Sequence, residues 1–230
     1  MTSAEARRRA YLKALEIDVY TMRGHGLPDG SQDSTDADPS DSGAPDWGEL
    51  RQQVAACTRC VLHRTRTQTV FGVGNQLADW MIIGEAPGAE EDRRGEPFVG
   101  RAGKLLDEML RAVNLSRDSV FIANILKCRP PNNRDPANDE ATSCRSHLDR
   151  QIELVSPKII LAVGRIAAQR LLNTDAPLGN LRGQKHQLGT GRIPVIVTYH
   201  PAYLLRSPTQ KRKAWQDLCL ARQVMEELRE

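Results

Sequence analysis

Cys57 and Cys60 form a C-x2-C pair, and Cys128 and Cys144 follow as single cysteines further along the chain. One local pair plus two distant thiols can converge into a four-sulfur site. Such a site holds either tetrahedral zinc or an iron–sulfur cluster, and the spacing suits zinc somewhat better. Four unrelated buried thiols are the competing explanation. It fits less well, because two of the four flank polar, Pro-rich loops. The fifth cysteine, Cys219, lies among Leu218, Leu220 and Val224 and is expected to be a small core residue.

The segment GEAPGAEEDRRGEPFVGRAG, from Gly84, is dense in glycine and carboxylate. It lacks the Gly-Lys-Ser/Thr of a phosphate loop and the G-x-G-x-x-G of a dinucleotide site, so nucleotide cofactors are poor candidates. Its carboxylates Glu85, Glu91 and Asp92 are candidate acid–base groups or plain solvated surface. Phe98, between Pro97 and Gly100, is either a core aromatic capping a sheet end or a stacking platform for a base. Asn124 and His200 stand at the ends of two apolar runs. By themselves they read as a loop or capping amide and as a support for the turn before Pro201.

The elements that must position these residues follow from periodicity. Trp80–Gly84, Val120–Ile125, Lys158–Val163 and Ile193–Thr198 read as strands. Between and around them, helices are expected from Asp46 as N-cap to Cys57, over Gly100–Val113, over Asp135–Val155 with Pro136 in the first turn, over Gly164–Leu172 and over 209–229. Strands alternating with helices imply an α/β fold with a mainly parallel sheet covered on both faces. Ligands in such folds bind beyond the carboxyl ends of the strands. The chemistry-bearing loops sit there.

Residues 1–22 read as a short amphipathic helix with Tyr11, Leu12, Leu15 and Val19 on one face. Residues 23–46, rich in Gly, Pro, Ser and Asp, read as a disordered acidic linker. Residues 1–46 hold five Lys/Arg against nine Asp/Glu, whereas the rest holds 27 basic and 20 acidic residues. A basic globular part from residue 47 to 230 suits a polyanionic partner. No apolar run reaches the ~18 residues of a membrane span, and the charged N-terminus lacks a signal-peptide core. A cytoplasmic setting is expected.

Four stretches together resemble one family: GEAPG at 84–88, GEPFVGRAGKLLDEML at 95–110, NILKCRPPNNR at 124–134 and HPAYLLR at 200–206. They are similar to the family 4 uracil-DNA glycosylases, prokaryotic base-excision repair enzymes. The resemblance implies a three-layer α/β/α sandwich with a four-stranded parallel sheet. It also implies a 4Fe–4S cluster on Cys57, Cys60, Cys128 and Cys144, and uracil-containing DNA, single- or double-stranded, as substrate for a monomer. A zinc-dependent nucleic-acid-binding module is the alternative. An inserted basic loop with a histidine after the second strand, the mark of a related group that traps the abasic product, is missing from NILKCRPPNNRDP.

By the same resemblance Phe98 stacks on an extruded uracil, Asn124 reads its edge, and His200 stabilises charge developing at O2. Glu85 is the carboxylate that positions water or offsets charge on the sugar. Gly84, Glu85 and Ala86 are expected to meet the base through their backbone, and Glu91 to exclude a thymine methyl. Leu204 and Leu205 are candidate wedges for the DNA stack. Arg206, Lys211, Arg212 and Lys213 are candidate phosphate contacts.

Overall fold

A computed structural model describes residues 46–189 and 192–229. The expected N-terminal helix and nearly all of the acidic linker lie outside the described residues.

The described part starts at helix α1, Trp47–Ala55, whose N-cap Asp46 accepts the N–H of Glu49 at 2.8 Å. Strands β1 (Val73–Gly74) and β2 (Trp80–Gly84) follow, then helices α2 (Ala89–Arg94) and α3 (Arg101–Arg111). Strand β3 (Phe121–Asn124), helix α4 (Asn138–Val155), strand β4 (Ile159–Val163) and helices α5 (Arg165–Leu172) and α6 (Leu178–Leu181) come next. The chain closes with β5 (Lys185–Leu188), β6 (Ile193–Thr198), α7 (Pro201–Arg206) and α8 (Lys211–Glu227).

The sheet runs β1-β3-β2-β4-β6-β5. Its four central strands are parallel and are the four that the sequence predicts. Two short antiparallel edge strands enlarge it to six. Alternate strand residues face opposite layers. Met81, Ile83, Ala123, Ile160, Ala162, Val195 and Val197 pack with α1, α4 and α5. Ile82, Ile122, Leu161, Val163 and Ile196 pack with α3, α7 and α8. Burial on both faces explains why these strands read as unbroken apolar runs. The chain leaves β2 for β3 on one side and returns to β4 on the other. The switch in strand order therefore lies between β2 and β4, at the carboxyl ends of the parallel strands.

Two local expectations are corrected. Helix α4 begins at Asn138, not Asp135. Glu140 accepts the N–H of Ala137 at 2.9 Å and pairs with Arg134 at 2.6 Å, which holds residues 134–137 extended and leaves Pro136 outside the helix. Cys219 is exposed. It follows the buried Leu218 in α8, and one residue turns about 100° around a helix, off the buried stripe of Ala214, Leu218, Ala221 and Met225.

Candidate active site and cysteine cavity

A cavity of about 440 Å³ opens beyond the carboxyl ends of the parallel strands, lined by Glu85, Ala86, Phe98, Asn124, His200 and Arg206 among others. That size suits a small-molecule or base-sized ligand. Glu85 follows β2, Asn124 ends β3, and His200 lies between β6 and α7. Residues far apart in sequence meet here because parallel strands put their loops at one end.

Asn124 is 2% exposed, and its Oδ1 is buried without a hydrogen-bond partner. A buried unsatisfied acceptor costs about 1–3 kcal/mol, so the site is held ready for a donor. Gly84 makes this geometry possible. A Cβ there would fall 2.5 Å from Asn124 Oδ1 and 2.6 Å from Phe98 Cζ. The carbonyls of Gly84 and Glu85 are already engaged by the N–H groups of Ile125 (2.9 Å) and Leu126 (3.0 Å).

His200 caps α7. Its Nδ1 accepts the N–H of Ala202 at 3.1 Å, which puts the proton of the neutral ring on Nε2. Burial, aided by the nearby Arg206 cation and opposed by Glu91, pushes its pKa down to about 4. His200 is therefore a neutral donor at neutral pH. Gly164, at φ +101° after β4, leaves room for it: a Cβ would meet His200 Cβ at 3.1 Å. The rings of Phe98 and His200 lie 5.7 Å apart between centroids, with planes 29° from parallel.

Burial raises the Glu85 pKa to about 7, with Asp135 adding to the rise and Arg165 opposing it. Glu91 accepts the N–H groups of Val99 (2.9 Å) and Gly100 (3.1 Å) and so organises the Phe98 loop. Asp92 turns away from the cavity and accepts the N–H of Thr67 at 3.0 Å. Leu204 is 1% exposed and belongs to the core, which removes it from the DNA-wedge candidates. Leu205 and Arg206 are exposed at the end of α7, and Lys211, Arg212 and Lys213 are exposed at the start of α8.

Cys57, Cys60, Cys128 and Cys144 line one cavity together with Arg66, Lys127 and His147. None of the four is in a disulfide. Arg66 Nη1 donates to Cys128 Sγ at 3.0 Å and to the Cys57 carbonyl at 2.8 Å, and the Lys127 N–H donates to Cys144 Sγ at 3.3 Å. Burial pushes the Cys144 thiol up to about 11, against the pull of Lys127. The donor set is all sulfur, enclosed, with N–H groups turned toward it, which fits an iron–sulfur centre in kind. Among the described residues no group of three or more His, Cys, Asp or Glu is placed to hold a metal ion, which favours neither zinc nor a cluster.

The family model described as the uracil DNA glycosylase superfamily matches residues 71–219. A Type-4 uracil-DNA glycosylase of Archaeoglobus fulgidus is 42% identical over 175 residues, covering 74% of this chain and 88% of that protein. The chain belongs to the type-4 uracil-DNA glycosylases. The Type-4 uracil-DNA glycosylase of Thermotoga maritima is 43% identical over 159 residues, covering 69% of this chain and 82% of its own length. That of Sulfurisphaera tokodaii is 40% identical over 183 residues, covering 76% and 83%.

In this type-4 glycosylase two site-forming side chains escaped sequence reasoning. Lys127 is 1% exposed and donates from Nζ to the Asn124 carbonyl (2.8 Å) and to Gln151 Oε1 (2.6 Å). A lysine inside the apolar run FIANILKC was the available signal. Arg117 reaches the main-chain carbonyls of Pro97 (2.7 Å) and Phe98 (3.1 Å), and nothing in its sequence context announces that.

Proposed function

We propose that this chain removes uracil from DNA by hydrolysing its N-glycosidic bond, leaving an abasic site. The observation that carries the reading is the buried, unpartnered Oδ1 of Asn124 in a base-sized cavity beside a neutral histidine. Asn124 accepts uracil N3–H at Oδ1 and donates to O4 from Nδ2. Cytosine presents the reversed pair, leaving groups unpaired at about 1–3 kcal/mol each. The base must leave the duplex stack to reach this cavity, and Phe98 offers the face on which it rests.

Water attacks C1′, the C1′–N1 bond breaks, and its electron pair spreads over the uracil ring to O2. The Nε2–H of His200 meets that charge as it develops, which favours the transition state over the ground state. Glu85 in its ionised form orients the water and takes its proton. Among the described residues no lysine lines the cavity, in keeping with hydrolysis without a strand-cleaving amine step.

Cys57, Cys60, Cys128 and Cys144 hold a 4Fe–4S cluster, which when bound supplies a structural clasp between the C-terminal end of α1, the loop after β3 and α4. The protein works as a monomer on uracil-containing DNA in a prokaryotic cytoplasm. No helix among the described residues is long and apolar enough to cross a membrane. Incubation with single- and double-stranded oligonucleotides bearing one uracil tests the activity. Free uracil from at least one is expected, and none from either refutes it.

A further inference from the structure

Phe98 has φ +54°, a left-handed backbone that bulky residues adopt only under constraint. The constraint comes from both sides. The guanidinium of Arg117 binds the carbonyls of Pro97 and Phe98, and Glu91 Oε1 binds the N–H groups of Val99 and Gly100. Arg117 Nη1 is itself held by Asp107 Oδ1 at 3.0 Å. Arg117 opens a tight turn fixed by the N–H of Ser116 donating to Ser119 Oγ at 2.9 Å. Beneath the loop, Gly103 admits the Phe98 carbonyl, which a Cβ would approach to 1.7 Å.

We propose that Arg117 is a positioning residue for base cleavage: its fork on two successive carbonyls fixes the aromatic platform against which uracil is presented. This rests on the reading of Phe98 as that platform. A planar guanidinium suits the task because it spans two acceptors and a carboxylate at once, which an ammonium does not. Arg117 does not line the cavity, so its effect passes through the placement of the Phe98 ring.

The test is a double-mutant cycle of Arg117→Gln and Phe98→Ala, read as single-turnover uracil release, with DNA affinity and melting temperature measured alongside. Arg117→Gln is expected to slow cleavage about 10–100-fold with DNA affinity unchanged, as for a reacting group misplaced by a fraction of an ångström. In the Phe98→Ala background the same change is expected to cost less than about twofold. An equal loss in both backgrounds, or no loss from Arg117→Gln alone, overturns the proposal. Full activity of Phe98→Ala alone instead refutes the platform on which it rests. Should Arg117→Gln fail to fold, Arg117→Lys carries the same cycle: it keeps a charge for Asp107 and loses the fork.

Discussion

The buried ammonium of Lys127 holds the main-chain carbonyl of Asn124 at 2.8 Å while its own N–H points at Cys144 Sγ, 3.3 Å away. One residue thus touches both the C-terminal end of β3 and the cysteine cavity. Gln151 completes the tie, accepting from Lys127 and donating to the Phe71 carbonyl at 2.8 Å. Lys127→Met leaves two buried acceptors unpaired. It is expected to lower unfolding free energy by about 1–3 kcal/mol in urea titration and to slow uracil release.

Gly84→Ala places a methyl group where Asn124 Oδ1 and the Phe98 ring already stand. Both must shift, and uracil cleavage is expected to fall about 100-fold with DNA affinity retained. Single-turnover kinetics beside a binding titration check this.

The pH profile should carry two marks. Cleavage is expected to rise with pH through about 7 as Glu85 ionises, and Glu85→Gln should be slow and lack that limb. Toward pH 4, protonation of His200 turns its capping nitrogen into a donor facing the Ala202 N–H, and activity should vanish. The stability signs are opposite. The raised Glu85 pKa favours folding below its ordinary 4.5 and loses that advantage as pH rises through about 7. Glu85→Gln should therefore be more stable than the parent at pH 8, by about 1–2 kcal/mol after allowance for solvent screening. The depressed His200 pKa contributes stability above 6.5 that is lost as pH falls through about 4.

How far the sequence announces this arrangement depends on where the determining contacts lie. The four parallel strands are legible because burial on both faces makes each an apolar run. The edge strands are not: β1 has two residues, and β5, Lys185–Leu188, alternates exposed and half-buried. Glu85, Phe98, Asn124 and His200 are legible as a set only through the family resemblance; by residue type alone Asn124 and His200 read as a capping amide and a turn support, and only the fold brings the four to one cavity. Arg117 is not, since its targets are main-chain carbonyls 19 and 20 residues upstream. Leu204 misled because HPAYLLR reads as a turn, whereas α7 is helical and turns that side chain into the core.

The proposed 4Fe–4S cluster predicts a coloured protein with about four irons and about four sulfides per chain, bleached by dithionite. Cys144→Ser should lose the colour and much of the melting temperature together, because cluster binding is coupled to folding. Stoichiometric zinc in a colourless native protein would contradict the cluster.

Arg206, exposed at the cavity rim, is expected to meet a phosphate. Arg206→Ala should weaken DNA binding regardless of sequence and reduce the slope of log affinity against log salt by about 1.

Release of free base by Asn124→Asp is the sharpest test of the proposal that Asn124 reads uracil. The substitution keeps the shape and replaces the Nδ2 donor with a second acceptor. With a uracil-bearing single-stranded oligonucleotide, the parent should release uracil and the variant should be slower by about 100-fold or more, with its melting temperature preserved. Equal rates for the two proteins would rule out that role for Asn124.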